Sequence, residues 1–372
     1  MRWDNLRLVD RPGAEEAGGP AGATLPLIGQ GAVARRFDTP EFRGMTFFEV
    51  HARSIINRVP AASRMPFEWT INPYRGCSHA CVYCFARNTH TYLDLDAGAD
   101  FDSKVVVKVN AERLLRRELA APSWEGAHIA MGTNVDPYQR AEGRYRLMRG
   151  ILGALRDFRN PFSILTKGSL ILRDLDLLRD AAEVTEVGTS TSVGFVDKDV
   201  WRLAEPGTPQ PAKRLEVCRT LNEAGIRCGV LMAPIIPYLT DSPAQLEATV
   251  KAIAEAGATS VSGIVLHLRP GAREWFMAWL GEHHPALVPR YEALYRGRSY
   301  APKAYQDEIT GRVKDLARRY GVGRAAPGDA RRIRLHARPA TSAGPAGMAQ
   351  PPGAERRGDR GGPLDTAQLR LL

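Results

Sequence analysis

INPYRGCSHACVYCFAR (71–87) is the stretch on which the reading of this chain turns. A β-forming run, FEWTINPYR (67–75), leads into a loop with Cys77, Cys81 and Cys84 spaced Cys-x3-Cys-x2-Cys. The chain has five cysteines, and three of them fall within eight positions, which is no disulfide framework. Clustered in this way, they are metal ligands or catalytic thiols. Three thiolates on one short loop can hold three corners of a cubane iron–sulfur cluster. No fourth cysteine lies nearby, so the fourth iron keeps an open position where an exogenous ligand can bind and react. Spacing alone leaves two other readings open. One is zinc held by Cys77, His79, Cys81 and Cys84. The other is a closed electron-transfer cluster completed by Cys218 or Cys228. Those two cysteines sit in regular patterns, RLEVCRTLNEAG (214–225) and IRCGVLMAP (226–234), where a thiol is usually a buried core residue. Gly76, just before the loop, permits positive φ or close backbone approach.

Outward from the loop, strand and helix patterns alternate. Strands are expected at 67–75, 127–133, 161–167, 184–193, 226–237 and 260–268, each followed by a helical pattern. After the first strand, VVVKV (105–109) is a short β-branched run, and the helix NAERLLRREL (110–119) follows with Asn110 as its N-cap. The other helical patterns cover 143–158, 170–182, 197–204, 212–225 and 272–283. Another starts with Asp241 or Ser242 as N-cap and Pro243 at N1, and stops at Gly257. Six strand–helix units imply parallel pairing with right-handed crossovers. The expected class is α/β, a partial (β/α)6 TIM-type barrel open on one side. In such folds the chemistry sits at the C-terminal ends of the strands. Polar residues gather there: Arg75-Gly76-Cys77, Gly132-Thr133-Asn134, Thr166-Lys167, Thr189 to Ser192, and His267 with Arg269, while strand five ends at Pro234.

Composition fits this class. The chain has 372 residues, 44% hydrophobic and 25% charged. It has no apolar run of membrane-spanning length and no apolar segment near its start of the secretory kind, so no membrane association and a cytoplasmic location are expected. Net charge is +10, but nine arginines against four acids over 323–372 account for half of it. A basic tail raises affinity for phosphate backbones without specifying a sequence. Three segments are expected: a loosely ordered, flexible arm at 1–45, a core at 46–322, and a disordered Arg/Gly/Pro/Ala-rich tail at 323–372.

Taken together, INPYRGCSHACVYCFAR, GTNVDPYQ (132–139), LTKG (165–168), LAEPG (203–207) followed by AKRLE (212–216), and APIIP (233–237) resemble the radical S-adenosylmethionine (radical SAM) enzymes, in their spore photoproduct lyase-like branch. The resemblance spans about residues 45–320. It implies a [4Fe–4S] cluster on Cys77, Cys81 and Cys84, with S-adenosylmethionine on the open iron. It also implies reductive cleavage of that cofactor to a 5′-deoxyadenosyl radical, driven by a reductant such as flavodoxin or ferredoxin. Tyr83 then matches the aromatic against adenine, and Lys167 the lysine on the methionine carboxylate. Ser192 matches a cofactor-contacting serine, and Asn134 and Asp136 lie on the strand-two loop that matches the methionine amino end. Pro234 matches a backbone contact near adenine. Each also has a plain structural reading: rim packing for Tyr83, a solvated tip for Lys167, a local bond for Ser192, and an Asn-x-Asp-Pro turn for Asn134. Nucleic acid is a candidate substrate, and the alternative is a non-catalytic zinc- or Fe–S-stabilised nucleic-acid-binding protein. Spore photoproduct lyases carry a hydrogen-donating cysteine on strand two, whereas this chain has Met131-Gly132-Thr133-Asn134 there.

Overall fold

The computed structural model describes residues 6–7, 32–60, 63 and 65–322. In chain order the strands are β1 (Leu6–Arg7), β2 (Val33–Arg35), β3 (Thr46–Ala52), β4 (Ile56–Arg58), β5 (Trp69–Ile71), β6 (Tyr74–Arg75), β7 (Lys104–Lys108), β8 (Ile129–Met131), β9 (Phe162–Thr166), β10 (Val187–Ser192), β11 (Cys228–Ile235) and β12 (Val261–Val265). The helices are α1 (Ala99–Ser103), α2 (Ala111–Leu119), α3 (Arg140–Tyr145), α4 (Leu147–Asp157), α5 (Leu175–Val184), α6 (Lys198–Ala204), α7 (Pro211–Glu223), α8 (Pro243–Glu255), α9 (Ala272–His283), α10 (Val288–Tyr295) and α11 (Lys303–Arg319).

The main sheet runs β12-β11-β10-β9-β8-β5-β4. The six strands from β5 to β12 are parallel and lie side by side in chain order, with β4 antiparallel at one edge. Helices lie in each connection between these strands, as alternating patterns require. The core forms where Ile129, Phe162, Ile164 and Val230 of the sheet meet Leu152, Leu178, Val217 and Leu246 of the helices, all buried. At the far edge α11 packs along β12 and α8. Neither α10 nor α11 stands out in the strand–helix alternation, because no strand follows them. Two α10 tyrosines lock the strand ends: Tyr291 donates to Pro237 O and Tyr295 to Leu266 O, both at 2.7 Å.

A second, five-stranded sheet holds β1, β3, β7 and β6, with β2 also on β3. It corrects two expectations. First, FEWTINPYR is not one strand. Ile71 pairs with Met131 in the main sheet, and the chain then crosses at Asn72-Pro73, so that Tyr74 and Arg75 pair with Val107 and Val106 in the other. Pro73 has no N–H to continue a ladder, and its carbonyl accepts from Lys108 N at 3.0 Å. The cysteine loop therefore starts where the chain has left the main sheet. Second, the loose arm does not extend to residue 45. Val33–Arg35 pairs antiparallel with β3, and Phe42 and Met45 are buried against Phe47 and Phe101. Of residues 1–31 only 6–7 are described, and the tail 323–372 lies outside the described residues.

Asn110 is a further correction. It occupies the N-cap position of α2 but makes no side-chain cap. Its amide instead accepts from Ala52 N at 3.0 Å and donates to Ala52 O at 2.8 Å, tying the end of β3 to the start of α2. The expected helix at 143–158 is broken into α3 and α4 at Arg146, whose φ is 53°. Ser242 does cap α8, accepting from Gln245 N, with Pro243 at N1. Among the described residues, no helix is long and apolar enough to cross a membrane. If Asn110 acts as a strand clamp, Asn110→Ser and Asn110→Ala should each destabilise the fold by about 2 kcal/mol in urea unfolding. If it acts as a cap, serine should restore most of the loss.

Candidate active site

The cysteine loop has little regular structure and is held from outside. Gly76 has φ +82°, and a Cβ there would lie 2.8 Å from both the His90 ring and Lys104 O, so only glycine fits. Cys77 N donates to Phe101 O (2.9 Å), and Ala80 turns the loop at φ 52°. Arg87, fully buried, donates through Nε and Nη2 to Cys81 O (3.2 and 3.0 Å) and through Nη1 to Gly98 O (2.9 Å). Its charge is met by Asp102 at 2.8 Å, and its plane lies 4.8 Å from the Trp275 ring centroid. On another side, Gln139 accepts from Ser78 N and donates to Gly76 O, both at 2.9 Å. On a third side the turn after α6 closes on the loop. Val82 N donates to Ala204 O (3.0 Å) and Gly207 N to His79 O (3.1 Å). A Cβ on Gly207 would lie 2.1 Å from Ser78 O, so the EPG turn and the loop need a bare backbone at their contact.

Cys77 and Cys81 are buried and Cys84 half-buried. Burial raises all three thiols, Cys81 to about 12. Cys81 and Cys84 add to the effect of burial at Cys77, and Cys84 adds to it at Cys81, so the three share one region. The Lys167 cation opposes burial at Cys81 and Cys84. Among the described residues, no three His, Cys, Asp or Glu side chains converge as ligands of one ion. A cubane makes no such demand, because each thiolate takes its own iron. His79, which a Cys3His zinc site needs, turns Nδ1 toward Asp136 Oδ2 at 3.4 Å. Cys228 is level with Thr189 on β10, three residues below Ser192 and the polar strand ends. Cys218 packs beside it, 3.5 Å from Cys228 O, so both are core thiols and neither completes a cluster. The donor set suits three corners of an iron–sulfur cluster.

Of the other sequence-predicted residues, Lys167 and Tyr83 meet directly, with Nζ 5.7 Å from the ring centroid. The Tyr83 hydroxyl donates to Glu205. Glu205 accepts from Arg214 as well, and Arg214 Nη1 donates to Ser192 O at 2.8 Å. Ser192 Oγ donates to Ala233 O at 3.0 Å, which brings the end of β10 to Pro234. Asn134 stands half-buried past the Gly132 bend and forms no hydrogen bond with Tyr83, Lys167 or Ser192 among the described residues. Its neighbour Asp136 braces the strand ends, accepting from Thr166 Oγ1 (2.6 Å), Lys167 N (2.6 Å) and Tyr138 N (2.9 Å). Burial alone would raise this carboxyl, but His79 and these donors hold it at about 2. Arg87, Gln139, Glu205 and Arg214 carry the site. All four fall in the stretches that carry the family resemblance, but spacing along the chain assigns them no contacts.

A family model, the Radical SAM superfamily, matches residues 71–253, from the end of β5 into α8. An uncharacterized protein of Mycobacterium tuberculosis is 48% identical over 306 residues, covering 82% of this chain and 90% of the relative. One from Methanocaldococcus jannaschii is 34% identical over 197 residues, covering 52% and 69%. Among solved structures, a spore photoproduct lyase mutant with bound S-adenosylmethionine and dinucleoside spore photoproduct is similar, with TM-score 0.52 and 16% identity over 69% of this chain and 75% of that one. Another spore photoproduct lyase mutant gives 0.55 and 15% over 82% and 85%. At such identity the likeness is one of fold. By its cysteine loop, its sequential parallel sheet, the family match and the long relative, the chain belongs to the radical SAM superfamily and is an enzyme of radical chemistry, a membership that implies S-adenosylmethionine and an iron–sulfur cluster.

Proposed function

We propose that Cys77, Cys81 and Cys84 hold a [4Fe–4S] cluster whose fourth iron takes S-adenosylmethionine, at the mouth of a partial (β/α)6 barrel formed by the six sequential strands. The observation that carries this reading is the braced loop that holds three unpaired thiols and sets its own Tyr83 beneath Lys167, at the end of β9. When bound, the cluster and its cofactor supply one-electron cleavage of the sulfonium and a 5′-deoxyadenosyl radical that takes hydrogen from a substrate. The chain's residues bind, orient and exclude water. Lys167 feels the Glu205 charge but forms no ion pair among the described residues, so its ammonium can meet the methionine carboxylate. Asn134 offers its amide at the methionine amino end, while Tyr83, Ser192 and the Pro234 backbone face the nucleoside side. The reductant is a small electron carrier such as a flavodoxin or ferredoxin.

The substrate we propose is nucleic acid, and the reaction is not spore photoproduct repair. The end of β8 carries no thiol, and Cys218 and Cys228 are buried elsewhere. A run of rings leads from the loop to the surface. Phe85, next to Cys84, lies 5.6 Å from His267, and His267 stacks on Tyr300 at 5.5 Å and 24°. Burial lowers His267 to about 4, so the ring packs neutral at pH 7. Tyr300 is 50% exposed. Arg269 lies over Phe85 at 5.4 Å and donates to the Tyr300 hydroxyl at 3.3 Å. Among the described residues, neither Arg269 nor the exposed Arg298 is in an ion pair. An exposed ring flanked by unpaired guanidinium groups suits a stacked base and its phosphates. A non-catalytic zinc-stabilised binder has no support in an enzyme superfamily.

Anaerobic reconstitution with iron and sulfide should give about four irons per chain. Dithionite with S-adenosylmethionine should then release 5′-deoxyadenosine, and Cys81→Ala should abolish both. Zinc in place of iron, or a cluster that never cleaves the cofactor, would sink the reading. Lys167→Ala should keep its iron but weaken S-adenosylmethionine binding about tenfold or more in equilibrium dialysis. Tyr300→Ala should weaken single-stranded oligonucleotide binding about tenfold by anisotropy, with Tyr300→Phe near wild type. An abasic oligomer held as tightly as the natural one would count against a stacking platform. No thymine should form from spore photoproduct.

A further inference from the structure

We propose that the buried Glu205–Arg214 pair is a positioning device. It fixes the Tyr83 ring of the cysteine loop and the Ser192 end of β10 in one register, so that both meet S-adenosylmethionine as a unit. The inference rests on the reading of Tyr83 and Ser192 as cofactor contacts given above.

The pair lies at the centre of a closed network. One Glu205 oxygen accepts from the Tyr83 hydroxyl, and the other accepts from Arg214 Nη2 and, at 3.4 Å, from Thr208 Oγ1. Arg214 uses its remaining donors on Ser192 O (2.8 Å) and, through Nε, on Pro209 O (3.0 Å). Glu205 and Arg214 are 0% and 1% exposed, and Tyr83 and Ser192 are 6% and 3%. Burial would raise the Glu205 carboxyl, but Arg214 and Lys167 hold it below its ordinary range, so it is an anion facing two cations.

A need for stability does not account for such a pair. Two charges taken out of water lose solvation that their attraction only partly returns, and apolar side chains of the same volume often do as well. What apolar side chains cannot do is aim a phenol hydroxyl and a strand carbonyl. Glu205 comes from the turn after α6 and Arg214 from α7, while their targets lie on the cysteine loop and on β10. Four separate stretches of chain are thereby joined at one point. The link continues through Ser192 Oγ to Ala233 O, beside Pro234. Tyr83 in turn lies under the Lys167 ammonium. The pair thus joins three of the strand ends through residues assigned to the cofactor, without touching the cofactor itself.

The test uses the full chain, reconstituted anaerobically, as wild type, Tyr83→Phe, Glu205→Gln and the double variant. Three quantities are read: affinity for S-adenosylmethionine, the change this ligand causes in the EPR spectrum of the reduced cluster, and the thermal midpoint. Each single variant should weaken binding about tenfold. The double should be no weaker than the worse single, because both changes break one unit. The EPR change should be reduced in all three. Tyr83→Phe, which leaves Glu205 and Arg214 paired but one carboxylate oxygen without its donor, should lower the midpoint less than Glu205→Gln does. Wild-type affinity in Tyr83→Phe, single effects that multiply in the double, or a lowered midpoint with unchanged affinity would each overturn the positioning role. If Glu205→Gln fails to fold, Tyr83→Phe decides by itself. Wild-type protein that takes up iron but not S-adenosylmethionine would overturn the cofactor reading and this inference with it. Wild-type binding with unaffected variants overturns the inference alone.

Discussion

A loop that carries three thiols has no helix or strand of its own to fix it, so its shape must be imposed by neighbours. Here that constraint is met by buried polar groups whose bonds end on the loop backbone. Arg87 holds the Cys81 carbonyl, Gln139 brackets Gly76 and Ser78, and the turn at 204–207 takes up Val82 N and His79 O. Each brace is itself buried and satisfied, which is what keeps such groups from costing more than they contribute. The rest of the site inherits its geometry from this arrangement. Tyr83 can stand beneath Lys167 only because the loop that carries it cannot drift.

The two sheets explain where the loop sits. The main sheet brings six parallel strand ends to one side, and the chain leaves that sheet at Pro73 before the first cysteine. Tyr74 and Arg75 bind the second sheet, so the loop is anchored on one side by β7 and on the other by elements of the main sheet. Gly76, Gly132 and Gly207 mark the close approaches. At each of them a Cβ would overlap a neighbouring carbonyl oxygen, at 2.8, 1.8 and 2.1 Å. These are positions where backbone meets backbone at the edge of the site, and no side chain can be accommodated.

The electrostatics follow the same logic. The thiols are buried, so protons are favoured on them until a metal replaces those protons. Lys167 works against that burial at two of the three. Asp136 stays an anion because four partners face it, and it is spent on joining the ends of β8 and β9 to His79 rather than offered to a ligand. Charges in this region therefore divide into two kinds. Arg87, Asp136, Glu205 and Arg214 are paired and structural in their contacts. Lys167 and Arg269 form no ion pair among the described residues and lie against the Tyr83 and Phe85 rings.

Much of this was legible in the sequence, because periodicity and spacing are local properties. Hydrophobic runs of strand length followed by helical patterns gave six sequential parallel strands. The Cys-x3-Cys-x2-Cys spacing marked the three cysteines as a group, and Ser242, Pro243 and Gly257 bounded α8 through cap chemistry. Contacts between residues far apart in the chain were not legible. FEWTINPYR reads as one strand, since nothing local says that Pro73 hands the chain to another sheet. Asn110 has the side chain of a helix cap, and only the nearby end of β3 turns it into a clamp. Tyr300 lies in a segment with no motif, and only the fold sets it on His267. Glu205 and Arg214 stand in motifs that the sequence marks, LAEPG and AKRLE, but nothing local says that they meet or which groups they hold. Sequence determines which residues are available and in what order. Tertiary structure decides which charges lose their water, and a charge without water must find a partner, here the residues that frame the three cysteines.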